Sequence, residues 1–224
     1  MTTGVGIYSG VMRFPVPTIY PILDVSFFPK VDRHAWLQRL GASLADAGLG
    51  LLEYRNKSGS DADVLADARV LRAAMPAGQV KLVLDDRVDV ALAAGFDGVH
   101  VDAGDLPVSD ARLLMGSARI VGTSAGSAEQ LTDALAAPVD YIAFGPVFPT
   151  TTKQTAAQPI GVEGVRRFRA LAGPEAVLVA AAGITLETAP AILEAGASCV
   201  AVAAALLGAE DPAVEFRRWI AVLG

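Results

Sequence analysis

Eight short runs of β-branched and aliphatic residues recur along the chain, and the stretches between them place apolar residues at helical spacing. The runs are Ile19 to Leu23, Gly50 to Tyr54, Lys81 to Leu84, Gly98 to Val101, Arg119 to Gly122, Tyr141 to Phe144, Val177 to Ala180 and Cys199 to Val202. Helical periodicity is clearest over Ala35 to Ala47, Ala62 to Met75, Ala128 to Ala136, Val162 to Leu171 and Ala189 to Ala195. This alternation is the pattern of βα units feeding a parallel sheet. Ala47-Gly48, Ala94-Gly95 and Ala195-Gly196 each put Gly just before the next run, where a helix stops in the left-handed conformation. Eight units imply closure, because an open doubly wound sheet more often stops at five or six strands. No glycine-rich dinucleotide fingerprint follows the first run. The expectation is a single-domain (β/α)8 TIM barrel over residues 18–224, preceded by a Gly- and Pro-rich flexible N-terminal arm, residues 1–17.

Composition narrows the function classes. With 53% hydrophobic and 19% charged residues in 224, the chain has enough apolar surface for one large core, though it is slightly short for a complete barrel. A net charge of −6 argues against a general nucleic-acid or membrane-surface binder. No apolar run approaches the roughly 20 residues that span a bilayer. Cys199 stands alone in an apolar run and reads as a buried strand residue, which fits a reducing cytoplasm. Small-molecule substrates are the expected partners. Apolar residues on barrel helices leave internal packing and a homo-oligomer face equally open.

In a barrel of this kind the functional groups follow the strands. Glu53, Arg55, Asn56 and Lys57 come at the second; Asp85, Asp86 and Arg87 at the third; Asp102 and Asp105 at the fourth; Thr123 and Ser124 at the fifth. The sixth leads into Gly145-Pro-Val-Phe-Pro-Thr-Thr-Thr-Lys153, and the seventh into Ala182-Gly183-Ile184-Thr185. Asp86 and Asp105 are hard oxygen donors suited to Mg²⁺, which leaves positions for phosphate oxygens and water. Arg55, Lys57 and Lys153 can meet the remaining negative charge of a phosphorylated substrate.

Each signal alone has a plainer reading. Asp85-Asp86-Arg87 can open the third helix as an N-cap, and Lys153 in its Thr-rich loop can simply be solvated. His34 reads as starting the first helix. His100 favours a structural or substrate-packing role over general base catalysis. Tyr141, Phe144 and Phe148 read as core and wall residues. It is the convergence of cations, carboxylates and hydroxyls on one rim that points to a Mg²⁺-pyrophosphate site.

Leu84-Asp-Asp-Arg-Val-Asp89, Gly98-Val-His100, Asp105-Leu-Pro107, Gly145-Pro-Val-Phe-Pro-Thr-Thr-Thr-Lys153 and Gly161-Val-Glu-Gly164 resemble the thiamine-phosphate synthase family over nearly the whole chain. The resemblance implies that an aminopyrimidine methyl pyrophosphate loses pyrophosphate dissociatively and that a thiazole phosphate nitrogen captures the carbocation, giving thiamine phosphate. It implies Mg²⁺ on Asp86 and Asp105. Arg55, Lys57 and Lys153 would grip the pyrophosphate, and Ser124 would lie near the departing group. Glu53 and Asp85 would be substrate-binding, Glu53 able to bind the exocyclic amine of the pyrimidine and Asp85 adding negative charge near the pyrophosphate, while Thr150, Thr152 and the backbone at Gly183 would hold the thiazole phosphate.

The chain departs from the family pattern at several of these places. Glu53 stands where the family usually has Gln, Asp85 where it has Asn, and Asp102-Ala103 where it has Gly-Gln. Ala182-Gly183 replaces Gly-Gly, and Ala204 replaces a Ser. Glu53 exchanges an amide for a group that, ionised, only accepts hydrogen bonds. These changes keep open a divergent member with another thiamine-precursor ligand, tautomerase-like or a non-catalytic sensor.

Overall fold

The computed structural model describes residues 16–150 and 157–224. Eight strands form a closed barrel in sequence order: β1 (Ile19–Asp24), β2 (Leu51–Arg55), β3 (Lys81–Asp85), β4 (Gly98–Val101), β5 (Ile120–Ala125), β6 (Tyr141–Phe144), β7 (Leu178–Ala181) and β8 (Cys199–Val202). All neighbours are parallel, and β1 pairs with β8 to close the sheet. The barrel is wrapped by α1 (Arg33–Asp46), α2 (Asp61–Ala74), α3 (Val88–Ala94), α4 (Val108–Met115), α5 (Ala128–Ala136), α6 (Gly161–Ala172), α7 (Ala189–Glu194), α8 (Ala204–Leu207) and α9 (Pro212–Leu223). The single-domain (β/α)8 expectation is met. Most of the arm read over residues 1–17 lies outside the described residues; Val16 packs against the inner barrel cluster.

The helices begin and end where local chemistry dictates. Ser60 and Asp63 form a reciprocal capping box at the start of α2, and Asp211 with Pro212 opens α9. Gly48, Gly95 and Gly196 take φ of 93°, 70° and 111°, as the three Ala-Gly signals require.

Two apolar layers fill the molecule. One joins the outer face of the strands to the helices and includes the fully buried Trp219. The other is the barrel interior, with Tyr20, Leu51, Val83, Ile120, Tyr141 and Val179 among its members. The inner layer needs glycine on β5, because a Cβ on Gly122 would overlap the Tyr141 ring. Cys199 is buried in β8, and burial pushes its thiol up.

Three arginines fasten the N-terminal ends of the strands in the same way. Arg72 of α2 donates to Asp97 at 2.8 Å and to the carbonyls of Met75 and Val80. Arg112 of α4 donates to Asp140 at 2.5 Å and to the carbonyls of Gly116, Arg119 and Pro138. Arg169 of α6 donates to Ser198 at 3.0 Å and to the carbonyls of Gly173, Ala176 and Gly196. Asp97, Asp140 and Ser198 in turn accept the backbone N–H of Leu82, Val121 and Leu178, the starts of β3, β5 and β7.

At the other end the sequence reading needs correction. Arg55, Asp85, Thr123 and Ser124 belong to the strands rather than to the loops after them. Their polar character hides the strand signal, yet β2, β3 and β5 keep their pairing through these residues. The N-cap reading of Asp85-Asp86-Arg87 also fails. Asp85 ends β3, Asp86 turns the chain at φ 66°, and Arg87 occupies the cap position of α3 without a side-chain cap bond. Ala204, where the family has a Ser, opens α8.

Candidate active site

A cavity of about 590 Å³ opens at the C-terminal ends of the strands. Strand alternation explains its lining: Leu51, Glu53 and Arg55 point to the barrel axis, and Leu52 and Tyr54 to the helices. Its inner end is a chain of hydrogen bonds. Tyr20 Oη lies 3.0 Å from Tyr141 Oη, which lies 2.9 Å from His100 Nδ1. His100 Nε2 reaches Ser124 Oγ at 3.0 Å and Asp102 Oδ1 at 3.2 Å. Burial disfavours the imidazolium, but Asp102, Glu53 and Asp85 outweigh it and raise the pKa of His100. Burial and Glu53 push both phenols well above their usual range.

One wall gathers opposite charges. Arg55 donates to Asp24, which is buried at the end of β1, and its Nε lies 3.5 Å from Asp85. Lys57 Nζ sits 2.9 Å from Asp85 Oδ2 and 2.5 Å from Asp86 Oδ2. Burial works against both cations, and the surrounding carboxylates more than restore them, so both pKa values are raised. Asp85 is pushed up to about 7, by burial first and then by Glu53. Its Oδ2 is buried without a well-directed hydrogen bond, although Lys57 is near.

The Mg²⁺ expectation can be weighed on these donors. Asp86 and Asp105 come from neighbouring strand ends, and Asp105 is raised by burial and then by the adjoining Asp86 carboxyl. Asp105 Oδ2 accepts the Asp102 N–H at 2.8 Å, which fixes its direction. Among the described residues no group of three or more His, Cys, Asp or Glu is gathered around a metal position. Two carboxylates are nevertheless what Mg²⁺ uses when phosphate oxygens and water complete its octahedron. The donor set therefore fits a substrate-completed ion and not a preformed cage.

The opposite wall brings backbone close. Ala182 and Gly183 both take left-handed φ, 74° and 70°. A Cβ on Gly183 would lie 2.5 Å from the Pro149 carbonyl oxygen, so only glycine fits. Thr150, Thr185 and the start of α8 at Ala203 to Ala205 also line the cavity.

Of the site residues selected from the sequence, those that are described fall into one place. Glu53, Arg55, Asp85, Ser124, Thr150 and Gly183 line the cavity, and Lys57, Asp86 and Asp105 stand at its charged edge. Thr152 and Lys153 lie outside the described residues. His34 is the second residue of α1 and meets Asp67, not the cavity. Sequence reasoning missed Asp24, whose available signal was its place directly after the first apolar run. It also missed the Tyr20–Tyr141–His100 chain, which no local pattern announces.

This layout, with the polar groups on the C-terminal rim of a closed barrel, is that of a (β/α)8-barrel enzyme. Residues 19–206 match the family described as thiamine monophosphate synthase. The chain is 41% identical over 208 residues to the thiamine-phosphate synthase of Koribacter versatilis (strain Ellin345), covering 93% of this chain and 96% of that one. It is 39% identical over 178 residues to the thiamine-phosphate synthase of Agrobacterium fabrum, covering 78% and 81%. The solved thiamine phosphate pyrophosphorylase from Pyrococcus furiosus superposes with a TM-score of 0.77 at 29% identity, over 92% of this chain and 97% of that one. The chain belongs to the thiamine monophosphate synthase family, and its relatives make it an enzyme of the transferase class.

Proposed function

We propose that the chain is a thiamine-phosphate synthase joining 4-amino-2-methyl-5-hydroxymethylpyrimidine diphosphate to 4-methyl-5-(2-phosphoethyl)thiazole, with release of pyrophosphate. The observation that carries the reading is the Arg55–Lys57–Asp85–Asp86 cluster on the opposite side of the cavity from the close-approach turn at Gly183. Two separated anion-binding regions in one cavity suit two phosphorylated substrates. Asp86 and Asp105 would hold Mg²⁺, which when bound supplies positive charge to the leaving diphosphate.

Arg55 and Lys57, joined by Lys153, orient the diphosphate and stabilise the charge that gathers on it as the methylene C–O bond breaks. The electron pair leaves with the diphosphate, and the thiazole nitrogen lone pair forms the new C–N bond. Glu53 and Asp85 accept hydrogen bonds from the aminopyrimidine, and Ser124 lies beside the reacting carbon. Thr150, Thr152 and the Gly183 backbone hold the thiazole phosphate. No described helix is long and apolar enough to cross a membrane, and the buried, unpaired Cys199 suits the reducing cytoplasm.

The test is to mix the protein with both substrates and Mg²⁺ and follow thiamine phosphate and pyrophosphate together. Thiamine phosphate that disappears with a chelator is expected. Pyrophosphate release without coupling would move the ligand assignment away from the thiazole phosphate, and silence in both channels would remove the synthase reading.

A further inference from the structure

Outside the cavity, on the helical face of β2, lies a second charged cluster. Tyr54 follows Glu53, so its side chain turns away from the barrel axis and is fully buried among the helices. Its hydroxyl donates to Asp67 of α2 and accepts from Asn56 Nδ2 at 3.0 Å and Arg33 Nη2 at 3.2 Å. Asp67 is 1% exposed and also meets Arg33 and, at 3.2 Å, His34 Nε2. Phe28 covers the cluster from the segment after β1, its ring stacked 6.2 Å from that of Tyr54.

A carboxylate in an aliphatic layer is costly to bury, and a leucine there would pack without that penalty. What the pairing achieves is visible at Asn56. Because Tyr54 takes its amide nitrogen, the Asn56 Oδ1 faces the loop and accepts the N–H groups of Ser58 at 3.2 Å and Gly59 at 2.8 Å. Glycine at 59 permits this approach, since a Cβ there would lie 2.5 Å from Asn56 Nδ2 and displace that side chain. Between these anchored positions sits Lys57, whose ammonium meets Asp85 and Asp86 at the cavity edge.

We propose that Asp67, Tyr54 and Asn56 form a positioning chain, running from the helical layer to the site, that sets the loop of residues 56–59 and thereby places the Lys57 ammonium. The inference rests on the reading of Lys57 as an anion-gripping group. None of the three touches the reacting atoms.

Tyr54→Phe removes the hydroxyl and keeps the ring. The measurements are calorimetric affinity for inorganic pyrophosphate with Mg²⁺, in the unsubstituted, Tyr54→Phe, Lys57→Ala and doubly substituted proteins, and amide exchange at Ser58 and Gly59. Tyr54→Phe should weaken pyrophosphate roughly fivefold to tenfold alone, and less than about twofold in the Lys57→Ala background. Exchange at both amides should quicken about tenfold or more. An equal loss in both backgrounds, or unchanged exchange, overturns the proposal. If Tyr54→Phe fails to fold, Asn56→Ala at the partly exposed end of the chain must give the same pattern. An unsubstituted protein that ignores pyrophosphate would sink the reading of the site, while the exchange data would still decide the positioning chain.

Discussion

The two ends of the barrel handle charge in opposite ways. At the N-terminal end, Arg72, Arg112 and Arg169 each meet a side-chain oxygen and loop carbonyls, and the same side-chain oxygens receive strand N–H groups. At the C-terminal end, Asp85 Oδ2 is buried without a directed bond, Asp86 and Ala182 hold left-handed backbone, and Asp85 and Asp105 crowd other carboxylates. The first end is nearly saturated, with the buried Arg72 Nε left without a partner, and holds the fold. The second retains unmatched charge and strain, the arrangement that a charged ligand can complete.

Substitution should separate the two ends. Arg112→Met strands Asp140 and three carbonyls, so a loss of about 3 kcal/mol or more in urea unfolding is expected, with turnover of the folded fraction unchanged. Asp86→Ala should do the reverse. Its turnover should fall on the order of 100-fold, while its unfolding free energy falls by only about 1 kcal/mol, from the lost Lys57 pair and from alanine in the left-handed backbone at φ 66°. A stability loss at Asp86 as large as that at Arg112 would erase the contrast.

The pH response sharpens it further. An unfolded Asp titrates near 3.8, whereas Asp85 in the fold is pushed up to about 7. Between those values the folded state keeps a proton that the unfolded state has lost, so this group makes stability fall as pH rises through the window. Asp85→Asn removes the slope. Without ligand, its melting temperature should therefore gain on the unsubstituted protein from pH 4 to pH 7, and a constant difference would refute the assignment. The smallest effect is expected at Ala182, where φ is 74°. Ala182→Gly relieves the left-handed strain and should add about 1 kcal/mol to stability, read as a small rise in melting temperature.

Much of this was legible in the chain. Parallel barrel strands are apolar runs, and eight of them with recurrent glycine stops define closure and order. What escaped reading was polar. Arg55, Asp85 and Ser124 extend strands whose inward faces line a cavity, so the apolar signal stops before the hydrogen bonding does. The arginine clamps join residues 25 to 29 positions apart, and each partner alone resembles a surface charge. Asp67 reads as an ordinary polar position of α2 until Tyr54 and Arg33 are seen to close on it. The carboxylates and cations of the rim were found because the topology says where to look, whereas the bonds among them depend on distances that no local pattern encodes.

The clamps also recur once per pair of βα units, reaching the strand starts of β3, β5 and β7. Among the described residues no fourth clamp spans the junction of β8 with β1, where closure relies on strand pairing and the apolar underside of α9. The clamps therefore divide the N-terminal end of the cylinder into tandem modules with a seam. Transient opening should start at that seam and leave the clamped modules closed.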